Sequence, residues 1–365
     1  MGPDKKIATS LAAAVALACG AAHASEDYDL RYAPGIGGAD MSAPFEAGWV
    51  FQAPAYVYSG HVDSSSQVST DLTGAPFNVP IPGANAVTTI RSRTQMNVHG
   101  LLPRLSYMSD VKVLGAQLGG TALLPLLTKR NNARVTDVST VVNATGLPAA
   151  NAGLIGGMIT TAATATADQV AAANSNEATG IGDLELAPIL RWSTDQTQTL
   201  FILSVIAPTG DYRDTRAANP SAGRFWTFRP AVQFSYIGDG WDVGGRAAYS
   251  FNTVNTATHF RTGQYLNLDA TLMKSLSDST RIGLSGYVVE QVTRDTRSQD
   301  PTDPAQEARQ DATLGDKGHV YGLGPEIAYI HGAGDYLLEG RFMKEFSAQY
   351  RPQGYTAFVT LSKPF

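Results

Sequence analysis

Apolar and polar residues alternate with a period of two over long stretches of this chain, the spacing of a strand with two unlike faces. Between Arg224 and Ile237, Trp226, Phe228, Pro230, Val232, Phe234 and Tyr236 fall on one side, and Thr227, Arg229, Gln233 and Ser235 on the other. The next run sets Trp241, Val243, Ala247, Tyr249 and Phe251 against Asp242, Arg246, Ser250 and Asn252. Further on, Tyr336, Leu338, Gly340 and Phe342 alternate with Glu339 and Arg341. Strands of soluble sandwiches are commonly about five or six residues, whereas a tilted strand needs roughly ten to cross a bilayer. These runs are of membrane length.

The pattern predicts twelve strands, at about 47–58, 88–101, 112–127, 182–193, 198–209, 225–237, 241–253, 264–276, 280–292, 319–331, 335–347 and 354–365. Connections after even-numbered strands are mostly short, as in Thr194-Asp195-Gln196-Thr197, Gly238-Asp239-Gly240, Ser277-Asp278-Ser279 and His331-Gly332-Ala333-Gly334. Those after odd-numbered strands are longer: 59–87, 128–181, 210–224, 254–263, 293–318 and 348–353. An even strand number with short turns at one end and long loops at the other is the signature of outer-membrane barrels, whose termini lie in the periplasm. The expected fold is therefore all-β, a transmembrane antiparallel β-barrel over 47–365 preceded by a periplasmic N-terminal segment at 25–46.

Within this frame, 102–127 is interrupted by Pro103 and Pro125 and has two faces of similar polarity. Residues 143–175 are rich in Ala, Thr and Gly, and the Ala-rich part at 161–173 favours helix. The 128–181 connection is thus expected to be a long extracellular loop, either a lid over the barrel mouth or a plain low-complexity loop. Aromatic rings fall in two bands: Trp226, Tyr321 and Phe251 toward the outer interface, and Trp192, Tyr236, Tyr329, Trp241 and Tyr336 toward the inner one. The last strand, from Tyr355, ends on Phe365, which resembles the signal read by the barrel-assembly machinery.

The beginning of the chain has a different character. Lys5 and Lys6 precede an apolar, Ala-rich run from Ile7 to Cys19, and Ala22-His23-Ala24 supplies small residues for a signal peptidase. Cleavage is expected after Ala24, which exports the protein and places it in the outer membrane of a Gram-negative cell, among its lipids. Cys19 is the single cysteine, so neither a disulfide framework nor a multi-cysteine metal site is available. The net charge of −5 gives no basis for a nucleic-acid partner.

Chemistry-bearing constellations are sparse. Gly283-Leu284-Ser285-Gly286-Tyr287 lacks the final Gly of a nucleophile elbow. His61, His99, His259, His319 and His331 are scattered singly, and Asp300, Asp303, Asp311 and Asp316 do not follow calcium-loop spacing. No catalytic residue, metal or cofactor is expected. The polar faces of the strands are more informative, because an Arg facing hydrocarbon at the bilayer midplane costs about 2–4 kcal/mol. On the alternation, Arg91, Arg93, Gln95, Asn97 and His99 line one stretch of lumen, and Asp183, Glu185 and Arg191 another. Arg229, Arg246, Asp269, Glu326, Glu339 and Arg341 complete a mixed-charge inner surface, able to pair across the lumen and narrow it.

Several short stretches resemble the meta-pathway phenol-degradation transporter family. They are Tyr32-Ala33-Pro34-Gly35 with Ala43-Pro44-Phe45-Glu46-Ala47-Gly48, Gly180-Ile181-Gly182-Asp183-Leu184, Ala207-Pro208-Thr209-Gly210-Asp211-Tyr212 and Gly322-Leu323-Gly324-Pro325-Glu326. The resemblance implies an outer-membrane channel that admits small hydrophobic or aromatic solutes by passive diffusion. The competing expectations are a structural or adhesive barrel with a sealed lumen and, further off, a barrel-embedded hydrolase.

Overall fold

A computed structural model of the chain describes residues 30–38, 41, 47–301, 307, 310–311, 314–315, 317–332 and 334–365. The expected export signal and its cleavage site lie outside the described residues. The strands are β1 (Gly48–Asp71), β2 (Asn85–Leu101), β3 (Arg104–Val113), β4 (Ala116–Leu123), β5 (Leu126–Asn143), β6 (Asn176–Ile181), β7 (Glu185–Ser193), β8 (Thr197–Ile206) and β9 (Thr227–Gly238). They continue with β10 (Trp241–Asn252), β11 (Phe260–Arg261), β12 (Tyr265–Ser275), β13 (Thr280–Gln291), β14 (Thr296–Arg297), β15 (His319–His331), β16 (Tyr336–Gln349) and β17 (Gln353–Pro364). A helix, α1, runs Ala149–Ala173.

β2 and β3 are one wall strand broken at Leu102-Pro103, β4 and β5 another broken at Leu124-Pro125, and β6 and β7 a third broken at 182–184. Proline has no N–H for the ladder, so a break at Pro103 and Pro125 is the local consequence of the sequence. With these pairs joined, and the short β11–β14 ribbon set aside, twelve antiparallel strands form the wall. β17 closes it against β1, from Val50↔Pro364 to His61↔Gln353. The first turn on the short-turn side is Leu114-Gly115, both residues at positive φ, which starts the third wall strand at 116 instead of 112. That geometry suits a two-residue hairpin turn, but Leu114 gives no sequence warning of it.

The alternation reads through to three dimensions over most of the wall. In β9, Phe228, Val232 and Phe234 are exposed on the outer face while Thr227, Arg229, Gln233 and Ser235 are buried inside. β10 turns Asp242, Ser250 and Asn252 inward and Trp241, Val243 and Phe251 outward. Trp192, Trp241 and Tyr329 are likewise exposed toward the short-turn end, and Trp226 and Phe251 toward the long-loop end.

The first three wall strands are longer than the pattern predicts. β1 and β2 stay paired from Ala55↔Leu101 to Asp71↔Asn85, and β2 and β5 from Leu101↔Leu126 to Asn85↔Asn143. β17 leaves β1 at His61, and β6 leaves β5 at Asn131. Beyond these points a three-stranded sheet rises above the barrel on the long-loop side. The supposed loops 59–87 and 128–181 are therefore largely ordered: the first is strand apart from 72–84, and the second is the tail of β5, α1 and β6. α1 packs on the face of this sheet that is continuous with the lumen, burying Ile159, Ala163 and Ala167 against Val68, Ala86 and Ile90, with Leu72 and Val79 completing the cluster. Its packing partners are β5 and β2, and Thr160 donates to Thr140 at 2.8 Å.

Candidate functional site

The lumen contains a piece of the chain itself. Residues 30–38 and 41, expected on the periplasmic side, lie inside the barrel against inward-facing side chains of β9 to β17. A Gly- and Pro-containing segment without a regular ladder leaves backbone carbonyls to be satisfied by other groups. The wall supplies the donors. Arg229 donates to the Arg31 carbonyl at 2.5 Å, Arg341 to the carbonyls of Ile36 and Gly37, and Gln233 to the Met41 carbonyl at 3.1 Å. Asp269 accepts from the Gly35 N–H at 3.0 Å and from the Tyr32 hydroxyl, and is paired with Arg246 at 2.9 Å. Tyr32 belongs to this lumenal segment, not to a spanning strand; burial pushes its phenol above the usual range, which keeps it a donor to Asp269. The inward charges thus serve as a cradle for the segment.

A second inward element is the connection 207–226, buried at Tyr212 and through Ala217–Phe225 apart from Arg224. It meets the break between β6 and β7 where two of the family-like stretches cross. The Gly210 N–H donates to Asp183 at 3.1 Å, the Asp211 N–H to the Ile181 carbonyl at 2.8 Å, and the Leu184 N–H to Thr209 at 3.0 Å. A Cβ on Gly210 would stand 2.6 Å from the Gly182 backbone, so only glycine permits this approach.

Asp183 joins all three parts of the lumen. It accepts from Ser221 Oγ at 2.8 Å and pairs with Arg31 at 2.9 Å, both side chains being almost fully buried. Arg31 also donates to the Gly223 carbonyl at 2.6 Å and stacks over the Phe225 ring at 3.9 Å. Removing one partner of a buried ion pair costs about 3–5 kcal/mol because the other charge is left uncompensated. Asp183→Ala is therefore expected to loosen residues 30–38 while the wall stays assembled. Planar-bilayer recordings should then show a larger or noisier single-channel current than wild type; an unchanged current would mean the clamp does not restrict the passage.

Beside this filled half of the lumen is a cavity of about 230 Å³. Its wall is mainly apolar: Tyr56 and Tyr58 of β1, Met96 and Val98 of β2, Leu127 of β5, Ile189 of β7 and Leu200 and Ile202 of β8. Leu30, Tyr32 and Ile36 of the lumenal segment and Ala217–Ala222 of the inward connection close it from the other sides. Polar and charged groups also line it, among them Arg104, Lys129, Asn131, Arg229, paired with Glu185 at 3.3 Å, and Arg351.

Of the polar residues the alternation assigns to the lumen, most face inward. Asp183, Arg229, Asp269, Glu326, Glu339 and Arg341 are buried inside, and Arg246 and Glu185 are partly buried there. Glu339 pairs with Arg341 at 2.8 Å, Glu326 accepts from Thr271 at 2.6 Å, and Arg191 donates to Gln117 at 3.0 Å. Arg91, Arg93 and Gln95 are the exceptions, and the assignment is corrected for them. They share the outer face of β2 with Asn97 and His99, while Ile90, Met96 and Val98 hold the inner one. Arg91 pairs with Asp137 at 2.9 Å and Arg93 with Asp63 at 2.6 Å, all of them exposed to a substantial degree. The reason is height. Above the bilayer the outer face meets water and tolerates charge, whereas the inner face is apolar, covered by α1 at Ile90 and bordering the lumen at Met96 and Val98. Arg31, Tyr32, Ser221 and Arg351 escape a reading based on period because none lies in an alternating strand; the surplus of inward charge was the available signal that something polar fills the barrel.

Residues 73–361 match the family model described as "Putative MetA-pathway of phenol degradation". No curated protein sequence matches the chain. Among solved structures, an outer membrane channel from Pseudomonas putida F1 is similar with a TM-score of 0.56 at 11% identity, covering 92% of this chain and 100% of its own. At that identity the likeness establishes the fold, an outer-membrane barrel. The CymD monoaromatic hydrocarbon channel aligns with a TM-score of 0.38 at 9% identity over 91% of this chain and 94% of its own. A Pseudomonas aeruginosa FadL homologue aligns at 0.39 and 8% over 95% and 97%.

Proposed function

The chain belongs to the phenol-degradation family whose model spans most of its length, and from that premise we propose that it is an outer-membrane channel for passive uptake of small hydrophobic or aromatic compounds. The observation that carries this reading is the apolar cavity inside a closed barrel. A cavity of roughly 150 Å³ holds benzene, so one of about 230 Å³ has room for a single substituted ring. A polar, water-filled porin lumen would instead favour sugars and ions. In this reading the leader is removed after Ala24, the C-terminal strand ending in Phe365 is read by the barrel-assembly machinery, and the outward aromatic bands sit in outer-membrane lipid. α1 and the raised sheet flank the extracellular approach.

The lumenal segment 30–38 favours a second reading, a structural barrel whose lumen stays sealed. Uptake of radiolabelled toluene by intact cells separates the two, because a lipopolysaccharide-covered outer membrane resists hydrophobic solutes. Cells carrying the protein should accumulate toluene several-fold faster than cells without it. Equal rates, with the barrel assembled in the membrane, would favour the sealed structure.

A further inference from the structure

Arg351 occupies the three-residue connection between β16 and β17, on the long-loop side, and lines the cavity with Tyr58, Met96 and Glu345. Its Nε and Nη1 are buried and make no hydrogen bond among the described residues. Glu345 is close enough to feel its charge but is already committed elsewhere. It accepts from Tyr287 at 2.8 Å, Tyr58 at 3.1 Å and the Gly354 N–H at 2.7 Å. A guanidinium cannot shed its proton to escape such a position. Two buried donors on a fixed positive charge, at the edge of an apolar cavity, are the complement of a ring that carries an oxygen acceptor.

We propose that Arg351 is a specificity-determining residue and that the cavity takes single-ring aromatic carboxylates in preference to neutral rings of the same size. The inference rests on the uptake reading above and narrows it. The ring would lie against Tyr58, Met96 and Val98, whose positions are fixed by the β1–β2 register Tyr58↔Val98 and Gly60↔Met96. The carboxylate would point toward the long-loop end, to Arg351. Charge-assisted hydrogen bonds to a guanidinium are the stronger kind, and the two Arg351 donors that would make them are buried.

The test is calorimetric titration of purified, full-length protein with benzoate and with benzyl alcohol, a neutral ring of similar size. Wild type should bind benzoate more tightly than benzyl alcohol. Arg351→Met should weaken benzoate by about ten-fold or more, the scale of one charged hydrogen bond, and leave benzyl alcohol within about two-fold. Arg351→Lys, which keeps the charge, should recover part of the loss. Heat-modifiable migration on gels verifies that each variant is folded. Benzoate affinity that ignores Arg351 while benzyl alcohol binds would overturn this proposal alone. Failure of both ligands to bind wild type would overturn it together with the uptake reading.

Discussion

Val232→Arg is expected to block assembly of the barrel almost completely. Val232 lies midway along β9, about half exposed, with Phe201 of β8 and Ala247 of β10 beside it on the outer face. A guanidinium there faces hydrocarbon at the depth where the penalty reaches about 2–4 kcal/mol. Phe228→Arg places the same charge four residues higher, beside Phe251 at the outer band, where the penalty falls to roughly 0–1 kcal/mol. The graded pair is more telling than either variant alone, since a general intolerance of arginine in β9 would not depend on height. Folding into liposomes, read as the heat-modifiable fraction on gels, should drop steeply for Val232→Arg and little for Phe228→Arg. Arg91→Ala should assemble like wild type, because it removes only an exposed ion pair with Asp137, worth about 0–1 kcal/mol.

How much of this was legible in the sequence depends on height above the membrane. From β9 to β17 each wall strand meets lipid outside and a mainly polar interior inside, so period-two polarity reports orientation directly. Arg229, Asp269 and Arg341 could be assigned inward on that ground. In the raised part of β1, β2 and β5 the outer side meets water and the inner side meets α1. There Ser64, Ser65, Ser66 and Gln67 look like loop although they are strand, and Arg91 and Arg93 look lumenal although they are not. Polarity tells which face meets hydrocarbon and nothing about inside or outside once hydrocarbon is gone. The helix at 149–173 was legible in part, from its alanines; its docking was not, because Ile159, Ala163 and Ala167 bury against strands mistaken for loop.

The contents of the lumen were less legible still. Residues 30–38 and the connection 207–226 carry no period, and their place inside the barrel is decided by partners far away in the chain. Arg31 and Asp183 are 152 positions apart and Tyr32 and Asp269 are 237 apart. What the sequence did present was a wall with more inward charge than wall neighbours alone could use: Arg229, Arg246, Asp269, Glu339 and Arg341 within one half of the barrel. Most of that charge is directed at the lumenal segment, which leaves the opposite half, built on β1, β2, β7 and β8, mainly apolar and hollow.

That hollow is where the account is tested most directly. Ile202 points into it from β8, packed beside Leu200 and Ile189 and only partly buried, so a larger side chain at this position grows into the cavity. Ile202→Trp is expected to occupy much of the space needed by a single ring. Overpacking typically costs about 1–3 kcal/mol, a load a closed twelve-stranded wall should carry, and gel mobility verifies that it does. Toluene uptake by intact cells should then fall close to the level of cells lacking the protein, at equal amounts of folded barrel in the membrane. Uptake equal to wild type with the tryptophan in place would contradict the account, since solutes would be crossing by a route that avoids the cavity.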